Sequence, residues 1–255
     1  MHFGAYVPDN KAGDSLPGLI YLSGLTCTHA NFMEKSGFQK YASEHKMIVV
    51  HPDTSPRGVN LPGDSDSWDF GKGAGFYVDA TEQPWSKHYK MYSYVAMELP
   101  MIVRNLIPID SKKLGIFGHS MGGHGAISIG LKHPDVFQSI SAFAPISHPM
   151  NCPWGQKAFR LYLGPDVKTW EQYDSCLLLK KYDGAPRKLL VHQGSSDKFL
   201  AEGQLQPESL KSTSVVSVDL KMEPGYDHGY FFISTFIEDH FKFHAATLKS
   251  LISEN

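Results

Sequence analysis

The sequence predicts an α/β protein built on a mostly parallel, twisted sheet with helices on both faces. Short apolar runs that end in Gly, Pro or Asp recur along the chain, as buried parallel strands do. Stretches with helical spacing of apolar residues separate them, and no repeat or low-complexity tract breaks the alternation. A chain of 255 residues, 42% hydrophobic and 20% charged, can bury a sizeable core, and 1–255 reads as a single domain.

"GLIYLSG" (18–24) is the first run, followed by a helical stretch from Asn31 to His45 and a second strand, "MIVVHPD" (47–53). Residues 54–88 lack periodicity and are rich in Gly, Ser, Asp and Pro; a loop that long predicts an active-site role. Residues 89–107 have helical spacing, with a kink expected at Pro100. "KKLGIFG" (112–118) and "QSISAFAP" (138–145) read as strands around a helix at 122–134. Residues 147–186 read as a lid-like insertion. The strands "KLLVHQG" (188–194) and "VSVDLKME" (216–223) follow, then an amphipathic helix from Tyr230 to Leu251. In such sheets reactive groups gather beyond the C-terminal ends of the strands.

Composition narrows the classes of partner. A net charge of −2 gives no reason to expect nucleic acid or an anionic membrane. Three scattered cysteines, Cys27, Cys152 and Cys176, fit reduced thiols rather than a disulfide framework. No apolar run reaches membrane-spanning length, "MHFGAYVPDN" has no secretory pattern, and "SEN" is no lipidation or peroxisomal signal. A cytoplasmic location is therefore expected. "GKGAG" (71–75) does not lie between a strand and a helix, as a phosphate loop requires. His119, His124 and His133 match no common ligand spacing, so neither metal nor cofactor is expected.

Chemistry concentrates in "GIFGHSMGGHG" (115–125). Gly118-His119-Ser120-Met121-Gly122 fits G-x-S-x-G between a strand and a helix, the setting of a nucleophile elbow. A serine hydroxyl needs a base, and the base an orienting acid, in the chain order Ser, Asp or Glu, His. "SSDKF" places Asp197 just past one strand, and "PGYDHGY" places His228 past the next. Asp174, Asp183 and Asp219 fit worse, and Asp227 is too near His228 in sequence to orient it. His192 reads as a structural histidine inside a strand; His240 and His244 read as part of an amphipathic helix face. The oxyanion donors are expected at the amides of Met121 and Leu25, with Gly24 or Thr26 open as alternatives to Leu25.

"LSGLTCTHANF", "GDSDSWDFGKGAGFYVDATE", "MYSYVAMELP", "FGHSMGGHGA", "CPWGQKAF" and "GYDHGYFFISTFIEDH" run in order along nearly the whole chain. In these blocks the sequence resembles the S-formylglutathione hydrolases, esterase-D type α/β-hydrolases. The resemblance implies a serine thioesterase acting on a small glutathione thioester, Ser120, Asp197 and His228 as its triad, hydrolysis of simple activated esters, and a homodimer. It also implies that Cys27 lies near the pocket and that Trp68, where the family often has tyrosine, walls it. Trp154 and Lys157 would cover the glutathione end, with Lys157 pairing a carboxylate. Family members carry an upstream segment, so the usual first strand or strands of the fold are expected to be missing. The alternatives are a general carboxylesterase or acyltransferase of this fold, and a catalytically silent binding protein on the same scaffold.

Overall fold

The computed structural model describes residues 1–250, without the side chains of Lys249 and Ser250. Leu251, the expected end of the last helix, and the terminal "SEN" lie outside the described residues. Among the described residues, seven strands form one sheet in the order β1-β3-β2-β4-β5-β6-β7. They are β1 (Phe3–Tyr6), β2 (Leu16–Leu22), β3 (Ile48–Pro52), β4 (Ile109–His119), β5 (Phe137–Phe143), β6 (Arg187–Gly194) and β7 (Val216–Glu223). All pairings are parallel except that of β1, which lies antiparallel on the β3 edge. The apolar-run pattern does not announce β1, because four residues, three half-buried and Ala5 exposed, carry too little periodicity.

Alternation along β5 sends successive side chains to opposite faces. Ser139 and Ser141 meet His244 and His240 of α9 (Tyr230–Ser250) on one face. Ile140 points the other way, against Gly130 of α5 (Met121–Lys132). The sheet is thus covered on both sides. His240 and His244, read from the sequence as part of an amphipathic helix face, lie fully buried on its inner side, where serines from a distant strand supply their hydrogen-bond partners.

The helix expected over 31–45 is two, α1 (Ala30–Lys35) and α2 (Phe38–His45), divided at Gly37. With φ +67°, Gly37 adopts a conformation that an L side chain disfavours. Around Pro100, α3 (Met91–Ser93) continues through a π-helical stretch, Tyr94–Glu98, into α4 (Leu99–Leu106). The proline donates no N–H, and the widened turn sits directly upstream of it.

The aperiodic loop and the insertion pack on each other. The insertion carries α6 (Pro153–Leu163) and α7 (Ser175–Lys181). From α6, the Tyr162 hydroxyl donates to the Ala74 carbonyl (2.9 Å) and accepts from the Gly71 amide (3.0 Å). Its ring joins Phe70, Trp85 and Tyr89 in an aromatic cluster. A second core therefore stands over the loop and supports whatever the loop presents.

Candidate active site

Strand order reverses at β2: β3 lies on one side of it and β4 on the other. In open α/β sheets the crevice beyond the strand ends at such a point is where ligands bind. Ser120 sits there, between β4 and α5, with φ 59° and ψ −120°. That is strained backbone for a non-glycine residue, and three hydrogen bonds hold it. The Ser120 amide donates to the Phe143 carbonyl (2.9 Å), and its own carbonyl accepts from the His124 and Ile146 amides (3.1 Å each). Gly118 and Gly122 make the turn possible: a Cβ at Gly122 would lie 1.9 Å from the Leu22 carbonyl oxygen, and one at Gly118 2.3 Å from that of Gly122.

Asp197 follows β6 and begins α8 (Lys198–Ala201), its carboxylate accepting from the Phe199 amide at 2.8 Å. The other oxygen accepts from Gln193 Nε2 (3.2 Å) and from His228 Nδ1 (2.5 Å). Burial pushes the Asp197 carboxyl up, but the bonds from His228, Phe199 and Gln193, with the His228 charge, outweigh it. The net position is below the ordinary carboxylate range. An ionised Asp197 makes Nδ1 the protonated ring nitrogen of a neutral His228 and leaves Nε2 free to take a proton. Asp227 instead turns away to cap the Gly229 amide (2.8 Å).

Ser120 and His228 line one cavity of about 210 Å³. Gly24, Leu25, Thr26 and Cys27 form its floor on the loop after β2, and Trp68, Trp154 and Phe199 form a wall. The Thr26 amide already donates to the Gly73 carbonyl (2.9 Å), which removes it as an oxyanion donor. The Leu25 amide donates to no group among the described residues, whereas the Gly24 amide is turned to the Cys27 sulfur. A larger cleft, about 590 Å³, lies at the opposite ends of β5, β6 and β7 and contains no nucleophile with a base.

The family model described as "Putative esterase" matches residues 1–243. The S-formylglutathione hydrolase of Mus musculus is 50% identical over 98% of this chain and 90% of its own length. That of Arabidopsis thaliana is 47% identical over 98% of this chain and 89% of its own. A solved structure of the Agrobacterium tumefaciens S-formylglutathione hydrolase, 48% identical, superposes with a TM-score of 0.91 over 96% of this chain and 89% of that one. The chain belongs to the S-formylglutathione hydrolase family of esterases. Its sheet and flanking helices are the α/β-hydrolase fold of that family.

Within this family member the remaining expected residues fall into two groups. Cys27, Trp68 and Trp154 line the cavity. Burial raises the Cys27 thiol, more than Tyr230 and Lys35 lower it, so it stays protonated. Trp68, 55% exposed, stands edge-on to Trp154, which meets Phe199, which meets His228. Lys157 is placed differently from the expectation. It is absent from the cavity lining; its ammonium binds Ser67 Oγ (2.8 Å) and pairs with Asp69. It clamps the loop that carries Trp68 instead of presenting a free charge.

The sequence raised His119 only as a metal ligand of unsuitable spacing, and did not point to Phe199 or Tyr230; all three line the cavity. His119 lies inside the elbow motif, and the other two follow Asp197 and His228 by two positions, which was the available signal. The His119 ring lies 4.3 Å from that of His228, and burial, with the His228 charge, drives it well below the ordinary histidine range. A neutral ring beside the base adds no competing charge. One metal-like cluster exists among the described residues: His148, Asp174 and Cys176 hold ligand atoms within 4.8 Å of one another. The Asp174 oxygens are occupied by His148 and by the Met150, Cys176 and Leu177 amides, and burial pushes the Cys176 thiol up to about 12. This is the N-cap of α7, away from the cavity.

Proposed function

We propose that the chain hydrolyses S-formylglutathione to glutathione and formate, with Ser120 as nucleophile, His228 as base and Asp197 as its orienting acid. The Ser120 hydroxyl attacks the thioester carbonyl while His228 Nε2 takes its proton. The amides of Met121 and Leu25 hold the developing oxyanion; as the carbon–sulfur bond breaks, His228 returns the proton to the departing thiolate. Water then gives its proton to His228 and attacks the formyl-serine, freeing formate and restoring Ser120. The observation that carries the reading is the 2.5 Å Asp197–His228 bond opening onto the cavity that holds a strained Ser120. The substrate rests on the relatives' near full-length identity, and a small cavity suits a formyl group.

A homodimer and a cytoplasmic location belong to the same reading. Three free cysteines suit a reducing compartment, and among the described residues no helix is long and apolar enough to cross a membrane. The test is initial rates on S-formylglutathione and on p-nitrophenyl acetate, for the protein and for Ser120→Ala. A strong preference for the thioester, lost in the variant, is expected. Comparable Ser120-dependent rates on both would leave a general carboxylesterase, and no Ser120-dependent rate on either would leave a silent scaffold.

A further inference from the structure

The cavity at Ser120, about 210 Å³, is below the roughly 300 Å³ at which pockets for drug-sized ligands begin. It can take an acyl group and a sulfur, so most of a tripeptide thiol must lie outside it. A groove of about 480 Å³ adjoins it, lined by Lys35, Tyr230, Phe231 and Ser234. Tyr230 is the wall common to both.

Lys35 is exposed at the end of α1, with its ammonium 5.7 Å from the centre of the Tyr230 ring. It forms no ion pair among the described residues. Its charge reaches Cys27 inside the cavity, where it offsets part of the rise that burial imposes on the thiol. Phe231 is 88% exposed, the most exposed large apolar side chain described. An unpaired cation beside a bare aromatic face suits a small, flexible peptide that carries a carboxylate on an otherwise thin backbone. Lys157, the other candidate for that carboxylate, is already neutralised by Asp69.

We infer that the Lys35–Tyr230–Phe231 groove is the subsite for the peptide part of the thiol leaving group, with Lys35 pairing one of its carboxylates and Phe231 forming its shelf. This assignment rests on the proposed thioesterase activity. It separates two tasks: the cavity selects a small acyl group, and the groove selects the thiol.

The test compares kcat/KM on S-formylglutathione with kcat/KM on S-formyl-N-acetylcysteamine, the same thioester without carboxylates. In Lys35→Gln the ratio of the two should fall roughly fivefold, the scale of one exposed ion pair, and Lys35→Arg should restore most of it. Lys198 serves as the comparator: its ammonium stands over the ring of Phe199, and it does not line this groove. Lys198→Gln should leave a larger ratio than Lys35→Gln. An unchanged ratio in Lys35→Gln, or equal losses in both variants, would overturn the subsite while the thioesterase reading stands. A wild-type protein with no preference for S-formylglutathione would overturn that reading and the subsite together.

Discussion

Asp197 Oδ2 and His228 Nδ1 lie 2.5 Å apart across 31 positions of sequence, joined over the ends of the adjacent strands β6 and β7. The bond fixes which ring nitrogen carries the proton. In Asp197→Asn the amide nitrogen can face Nδ1 and favour the wrong tautomer. A kcat lower by about 10³ to 10⁴, with little change in KM, is expected from steady-state rates. A loss under tenfold would reduce Asp197 to the cap of α8.

Ser120 stores strain that can be measured. Ser120→Ala and Ser120→Gly should both be inactive, but only glycine relaxes at φ 59°, ψ −120°. Relief of roughly 1–3 kcal/mol, less about 1 kcal/mol for the freer unfolded chain, should make the glycine variant the more stable in urea unfolding. A less stable glycine variant would mean that the turn is unstrained.

Acid should unfold the protein early. Burial pushes His244 down to about 3 and His192 down to about 4; at His192, Lys221 adds to burial while Asp239 and Asp219 oppose it. In the unfolded chain these rings titrate near the ordinary histidine value of about 6.5. As pH falls below about 6.5, the unfolded chain binds protons that the folded one refuses. Their contribution is therefore full above that value and declines toward pH 4. Each ring should remove roughly 2 kcal/mol by pH 5, read as a falling urea midpoint, and His244→Asn should flatten the fall. A midpoint constant from pH 7 to 5 would place both rings in contact with protons in the folded state.

Lys157 and Asp69 act as a unit on the loop bearing Trp68. Lys157→Ala and Asp69→Asn should each raise KM a few-fold with kcat nearly constant, and the double variant should be no worse than either alone. Additive effects would show that the two side chains work separately.

Strands β2 to β6 were legible because each carries an apolar run bounded by turn residues and β7 because it alternates apolar and polar, and the loops after β4, β6 and β7 could be ordered from them. The break at Gly37 was not legible, since a lone glycine is tolerated inside a helical pattern and Phe38, Tyr41 and Ala42 resume that spacing directly after it. The burial of His240 and His244 depends on Ser139 and Ser141, and the engagement of Lys157 depends on Asp69. Pairings between residues so far apart leave no periodic mark. Residue type alone then suggested an amphipathic helix face for the histidines and a free charge for the lysine. The choice among Gly24, Leu25 and Thr26 likewise turned on local contacts that no motif encodes, the Thr26 amide with the Gly73 carbonyl and the Gly24 amide with the Cys27 sulfur.

Ser120, Asp197 and His228 are delivered by three separate strand ends, the last of them just ahead of α9. A ribosome-bound chain can build the serine turn long before it has the histidine. Until the final helix docks on the sheet, such a nascent chain holds a nucleophile with no base and is chemically quiet. Turnover therefore reports the finished molecule, and a product truncated before β7 would be inert rather than an unregulated esterase.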